Sequence, residues 1–145
     1  MKKFLFNSAI LMLFCSINVS AQTSKPYTDG PLWQVQFVNT KPGMTELYLK
    51  NLSEGWIKEM RAAKDAGLIM DFKVLQAPNA SGNDWNLMLM YELKNYAMLD
   101  GMSEKMDAIA SKIFGSEETQ HTNAVSRNDL RELQGGRMAQ ELNFK

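Results

Sequence analysis

Residues 83–95 read NDWNLMLMYELKN, and the way this stretch distributes its side chains decides the fold. Trp85, Leu87, Leu89, Tyr91 and Leu93 alternate along it and make one apolar face. That is the period of a β-strand, whose successive side chains point to opposite sides of a sheet. The opposite set, Asn86, Met88, Met90, Glu92 and Lys94, should be solvated, yet two methionines sit at its centre. Whatever covers Met88 and Met90 decides how the sheet is used.

Upstream, APNASGND is rich in turn formers and joins this strand to LIMDFKVLQ, so the two form a hairpin. In the earlier strand Leu68, Met70, Phe72 and Val74 form the apolar face, opposite Ile69, Asp71, Lys73 and Leu75. Further back, Met44, Tyr48, Leu52, Trp56, Met60 and Ala63 recur at three- and four-residue steps, one stripe of a long helix. Gly67 stands where a left-handed C-cap belongs. Before that helix, LWQVQFVN alternates as a first strand, with Trp33, Val35 and Phe37 expected on the core side and Gln34, Gln36 and Val38 on the other.

Downstream, Asn95 can cap a second helix whose stripe is Met98, Leu99, Met102, Met106, Ile109, Ala110 and Ile113, ended by Gly115. SRNDLREL then reads as a short helix closed by Gly135 and Gly136, and RMAQELNFK alternates again as a fourth strand. The order strand, helix, strand, strand, helix, strand predicts an α+β, ferredoxin-like βαββαβ domain: a four-stranded antiparallel sheet with two helices on one face. The expected second face gathers Gln34, Gln36, Asp71, Lys73, Met88, Met90, Glu92, Arg137 and Glu141. No helix remains to cover it, and a second copy of the chain would bury it as a homodimer.

This pattern resembles the dimeric α/β-barrel superfamily over residues 32–145, on the element order, the NTKPGM link between first strand and first helix, and the DW that opens the third strand. The resemblance implies two ferredoxin-like sheets closed into a barrel, often with a pocket inside each protomer. Members include cofactor-independent monooxygenases, muconolactone isomerases, haem enzymes and many uncharacterised small proteins. No catalytic motif of any branch is present, so the resemblance carries over fold and dimer but no active-site residue. Met88 and Met90 would then face a barrel interior.

Residues 1–21 carry Lys2 and Lys3, a short apolar run and then Val19, Ser20 and Ala21, the layout of a cleaved signal peptide. The expected mature protein is periplasmic or secreted, with residues 22–31 a flexible lead-in and residues 32–145 one domain. Cys15, the single cysteine, leaves with the leader, so neither a disulfide nor thiol chemistry is expected. Lys2 and Lys3 leave too, so 14 basic groups face 16 acidic ones. That balance argues against nucleic acid and against an anionic membrane surface.

The chemistry is sparse. Asp71 beside apolar groups is a candidate general base, and His121, the lone histidine, is a second candidate for acid–base work or haem ligation. The simpler readings are ion pairing for the charges of the second face and solvent exposure for His121, in polar EETQHTNA. One histidine without a mature cysteine does not make a zinc site. Met98, Met102 and Met106 belong to a core stripe that continues through Ile109, which disfavours copper. No phosphate loop or nucleophile elbow is present, and no metal or cofactor is expected. Three functions remain open: a barrel that holds a small hydrophobic or amphipathic ligand on Gln34, Gln36, Asp71, Lys73, Met88, Met90, Glu92 and Arg137; a cofactor-independent monooxygenase- or isomerase-type enzyme using Asp71 or His121; or a module that only dimerises.

Overall fold

The computed structural model describes residues 24–77 and 84–145. The expected signal peptide therefore lies outside the described residues. The elements run β1 (Tyr27–Thr40), α1 (Thr45–Glu54), α2 (Trp56–Asp65), β2 (Asp71–Gln76), β3 (Leu87–Leu93), a 3₁₀ turn (Tyr96–Leu99), α3 (Met102–Phe114), α4 (Glu117–Asn128) and β4 (Arg131–Phe144). The strands form one sheet in the order β2-β3-β1-β4, every neighbouring pair antiparallel. That order and the helical crossovers after β1 and β3 define the ferredoxin-like fold expected from the sequence.

Each element follows from local chemistry. The first helical run breaks at Gly55, so one stripe is carried by two helices, α1 burying Tyr48 and Leu52 and α2 burying Met60 and Ala63. Gly67 closes the run with φ +71, the left-handed conformation that the sequence predicts there. Asn95 does act as a cap, its Oδ1 accepting from the Ala97 amide at 3.1 Å, but it caps the 3₁₀ turn; α3 begins only after Gly101. Residues 117–128 form α4, capped by Ser116, which runs through polar EETQHTNA into the first residues of the expected short helix SRNDLREL.

Antiparallel partners share a face of the sheet, so the register assigns every side chain. Leu32 stands opposite Leu93, Gln36 opposite Leu89 and Val38 opposite Leu87. Leu32, Val38, Leu87, Leu89 and Leu93 are all buried under the helices, together with Met60, Ala63, Ile69 and Met102. The parity of β2, β3 and β4 thus matches the expectation for Phe72, Val74, Leu87, Leu89, Tyr91 and Met138.

The parity of β1 is the reverse of the one expected. Trp33, Val35 and Phe37 pair with Glu92, Met90 and Met88 on the face without helices, while Gln34, Gln36 and Val38 lie beneath them. Both faces of β1 carry apolar groups, and the deciding pair is Leu32 and Val38, which meet Leu93 and Leu87 in the core. A similar inversion occurs before β2: the strand starts at Asp71, and Ile69 is buried while Met70 is 49% exposed.

The outer strands are longer than expected. β1 begins at Tyr27, within the expected lead-in, and β4 begins at Arg131 inside the expected short helix. Two irregularities interrupt their pairing, between Asp29 and Leu32 and between Gln36 and Val38. The first coincides with Gly30-Pro31, where proline has no N–H to give the ladder. The second adds a residue to β4 at Gly135-Gly136, with Gly135 at φ +98.

Candidate functional site

Most of the residues expected to form a site do share a face. Asp71 and Lys73 on β2, Met88, Met90 and Glu92 on β3 and Arg137 on β4 all project to the open side of the sheet. Gln34 and Gln36 do not join them; they belong to the helix-covered face because β1 has the opposite parity. In their place stand Trp33, Val35 and Phe37, which make the open face more apolar than the sequence reading supposes.

Four of the charges on that face have partners: Lys73, Arg137, Glu141 and Asp71. Lys73 Nζ sits 4.6 Å from the Trp33 ring centroid, and the Arg137 guanidinium carbon 5.8 Å from that of Phe37. Trp33 Nε1 donates to Glu141 Oε2 at 3.3 Å, and Trp85 leans on Phe37 with centroids 5.4 Å apart. Both cations can therefore lie over aromatic faces, an arrangement that keeps their charge while covering apolar surface. Asp71 is held by Lys64, Nζ to Oδ1 2.7 Å. That bond, with the backbone N–H of Phe72, lowers the Asp71 pKa, the opposite of what a general base at neutral pH requires. His121 is exposed on α4.

A different site lies on the other side of the sheet. A cavity of about 170 Å³ is lined by Gln36 from β1, Tyr48 and Leu52 from α1, Trp56 and Glu59 from α2, Leu89 from β3, Arg127 from α4 and Arg131 from β4. Leu52, Trp56 and Leu89 give it an apolar wall; the other residues give it a polar end. None of the residues of α4 is buried, and its last turn brings Arg127 to the cavity.

The polar end is unsettled in its bonding. Tyr48 is 0% exposed, and among the described residues neither its hydroxyl nor the buried Nε of Arg131 makes a hydrogen bond of good geometry. The Arg131 guanidinium carbon lies 5.5 Å from the Tyr48 ring centroid, close enough to act on it electrostatically but not a substitute for a bonded acceptor. Burial raises the Tyr48 pKa, opposed by the charges of Arg131 and Arg127 and by the hydrogen-bonding approach of the Arg131 side chain. Burial also raises that of Glu59, opposed by Arg127 and reinforced by Asp107. Burial lowers that of Arg127, and the neighbouring charge of Arg131 adds to the effect. A buried carboxyl drawn toward its neutral form, a phenol and two guanidiniums thus meet at a small pocket with one apolar wall.

Of these residues only Gln36 was among the expected site residues. Tyr48 was visible as one oxygen-bearing member of an otherwise hydrocarbon stripe. Arg127 and Arg131 were visible as a pair four residues apart, but reading SRNDLREL as one helix hid the fact that they come from two elements. Glu59 carried no signal, being an ordinary acidic residue on a helix. Among the described residues no group of histidine, cysteine and carboxylate side chains could hold a metal, and no helix is long and apolar enough to cross a membrane.

The strand order and pairing define a ferredoxin-like protein. No protein-family model and no curated protein matches the chain. Among solved structures, a dimeric ferredoxin-like protein from an uncultured marine organism is 15% identical, with 81% of this chain and 90% of that one covered and a TM-score of 0.49. A second dimeric ferredoxin-like protein from an uncultured marine organism is 16% identical, covering 77% and 94%, TM-score 0.44. A dimeric protein of unknown function and ferredoxin-like fold from Bacteroides fragilis NCTC 9343 is 14% identical, covering 80% and 97%, TM-score 0.40.

Proposed function

We propose that this chain is an exported small-molecule-binding protein. It works as a homodimer closed through the open sheet face, and each protomer holds a small amphipathic ligand between sheet and helices. The observation that carries the ligand reading is the cavity itself, where Glu59, Arg127 and Arg131 converge beside Leu52, Trp56 and Leu89. Concave, largely apolar sites with a few convergent polar groups are where small ligands bind. The reading differs from the one drawn from sequence in where the ligand sits: under the helices, not against Met88 and Met90.

The homodimer rests on a separate feature. Trp33, Val35, Phe37, Met88 and Met90 form the centre of a sheet face that no helix covers among the described residues. A two-fold axis through that face would bring identical patches together and form the α/β barrel. Export rests on residues 1–21, whose basic start, apolar run and small residues at 19–21 have the layout of a leader.

An enzymatic version of the same reading is favoured by one observation. Glu59, with its raised pKa, faces the pocket and is a better proton acceptor from a bound substrate than ion-paired Asp71. It would suit an isomerase-type proton transfer that needs no cofactor.

Native mass spectrometry of the gently purified protein tests the main reading. The expected result is two chains carrying a small organic adduct. Chains that stay bare, even after incubation with a library of small amphipathic compounds, would remove the ligand-binding function.

A further inference from the structure

The helix that brings Arg127 to the cavity is held unlike the others. α1, α2 and α3 each bury two side chains, and α4 buries none. Its half-buried residues are Gln120, Asn123, Ala124 and Arg127, spaced three and four apart, so they mark the face turned to the protein. That face offers one methyl group and three polar side chains. Val125, the largest apolar residue of α4, is instead 51% exposed. What keeps α4 helical is local. Ser116 Oγ accepts from the Thr119 amide at 3.3 Å, and Glu117 and Glu118 in the first turn and Arg127 in the last suit the helix dipole. Gln120 Nε2 reaches Ser111 Oγ of α3 only at 3.4 Å. A helix of 12 residues is marginal by itself in water, so α4 keeps its form only while docked.

The chain is pinned on either side of α4. Gly115, at φ +82, turns it out of α3. Beyond the last turn, the Leu130 carbonyl accepts from the Lys41 amide at 2.9 Å, and its side chain packs against the core of Val38, Tyr48 and Leu52. Between those points one charge attracts the helix to the body. Glu59 of α2 and Arg127 line the same cavity, and each is acted on by the other's charge. The attraction acts across the cavity, not in a closed ion pair; among the described residues those are Lys25–Asp29 and Lys64–Asp71. The other titratable groups around Glu59 are Asp107 of α3, Tyr91 of β3, Tyr48 of α1 and Arg131. Arg131 begins β4 and stays with the sheet when α4 moves.

We propose that α4 is a gate to the cavity, which closes as a helix with Arg127 in the wall and opens by unravelling between Gly115 and Leu130, the attraction of Arg127 for Glu59 setting the balance. The ligand reading supplies the purpose of the gate, admission of a molecule between sheet and helices, but its working concerns the cavity alone.

Hydrogen exchange of the purified protein, read by mass spectrometry at mildly alkaline pH where Glu59 is charged, follows the opening. The amides of residues 119–123 are expected to exchange at least about a hundred-fold faster than those of α3, which open with the core. Glu59→Gln, a change on α2, should speed α4 by a further factor of about two to five, the effect of losing a partly solvated charge pair, without speeding α3. Arg127→Met should do the same, and the double variant should be no faster than Arg127→Met alone. Ser116→Ala, which removes the cap without touching the cavity, should speed α4 equally in the wild type and in Glu59→Gln. Exchange of α4 in step with α3 would overturn the gate. Fast exchange indifferent to both Glu59→Gln and Arg127→Met would overturn it as well, leaving only a frayed surface helix. The readout needs no ligand, so bare chains in native mass spectrometry would remove the ligand reading and leave the gate standing.

Discussion

Tyr48 shows how much one unsatisfied atom can say. Its ring belongs to the core with Leu52, Val38 and Leu87, and its hydroxyl goes unpaired. Leaving a buried polar group unsatisfied costs about 1–3 kcal/mol, and deleting it in an apolar isostere can recover part of that. Tyr48→Phe is therefore expected to leave stability to urea unchanged or raise it by about 1 kcal/mol. A loss of more than that would mean the hydroxyl is bonded, most simply to a water held in the pocket. Glu59 carries a pH signature. Burial and Asp107 raise its pKa from the usual 4.5, Arg127 opposes them, and Tyr91 faces it from the sheet. The folded state thus holds this proton more tightly than the unfolded state. The resulting stability is fully present below the unfolded pKa and is lost as pH rises through the folded one. Glu59→Gln should abolish that decline, so the variant gains on the wild type as pH rises from the ordinary carboxylate range to neutrality. Thermal melts across that range would show two curves that diverge; parallel curves would mean that Glu59 is solvated.

At the scale of elements, the bulge on β4 is the most exacting feature. A Cβ on Gly136 would lie 2.8 Å from the carbonyl oxygen of Val35, a backbone atom that cannot swing away. Gly136→Ala is expected to cost about 1–3 kcal/mol in urea unfolding, the range for a forced backbone shift. A neutral result would show that the two strands have slack at this point. The same region shows why reading the sequence found the four strands but reversed the faces of β1. Period and turn residues placed every strand and the four-stranded order, because LMLMYELKN and DFKVLQ each have one face plainly richer in large hydrocarbon. β1 has no such contrast: Trp33, Val35 and Phe37 lie on one face, Leu32 and Val38 on the other. Alternation divides a strand into two sets but does not say which set meets the helices. Only pairing does, through Leu32 with Leu93 and Val38 with Leu87. The pocket was less legible for the same reason. It draws on β1, α1, α2, β3, α4 and β4, so no local spacing brings its members together. Asp71 and Lys73, by contrast, attracted notice because they are two apart on one strand, and their partners Lys64 and Trp33 account for both.

For the whole molecule, the reversed parity of β1 strengthens the case for a second copy. With Gln34 and Gln36 turned inward, the open face loses two amides and gains Trp33, Val35 and Phe37 beside Met88 and Met90. Lys73 and Arg137 lie over the rings of Trp33 and Phe37 and cover part of this patch with their aliphatic stems. Apolar surface of this kind drives association at about 25 cal/mol for each Å² buried, before the cost of bringing two bodies together. A charge at its centre would have to be buried unpaired in the dimer but would be free in the monomer. Met90→Lys is therefore expected to give a folded monomer, with unchanged circular dichroism and half the mass by light scattering. Leu32→Ala, on the helix-covered face of the same sheet, should instead cost about 2–5 kcal/mol of folding stability, the usual effect of a cavity in a core. The pair of variants separates interface from core within one sheet. If the wild type is already monomeric at micromolar concentration, or Met90→Lys unfolds the chain as Leu32→Ala weakens it, the open face is not where two copies meet.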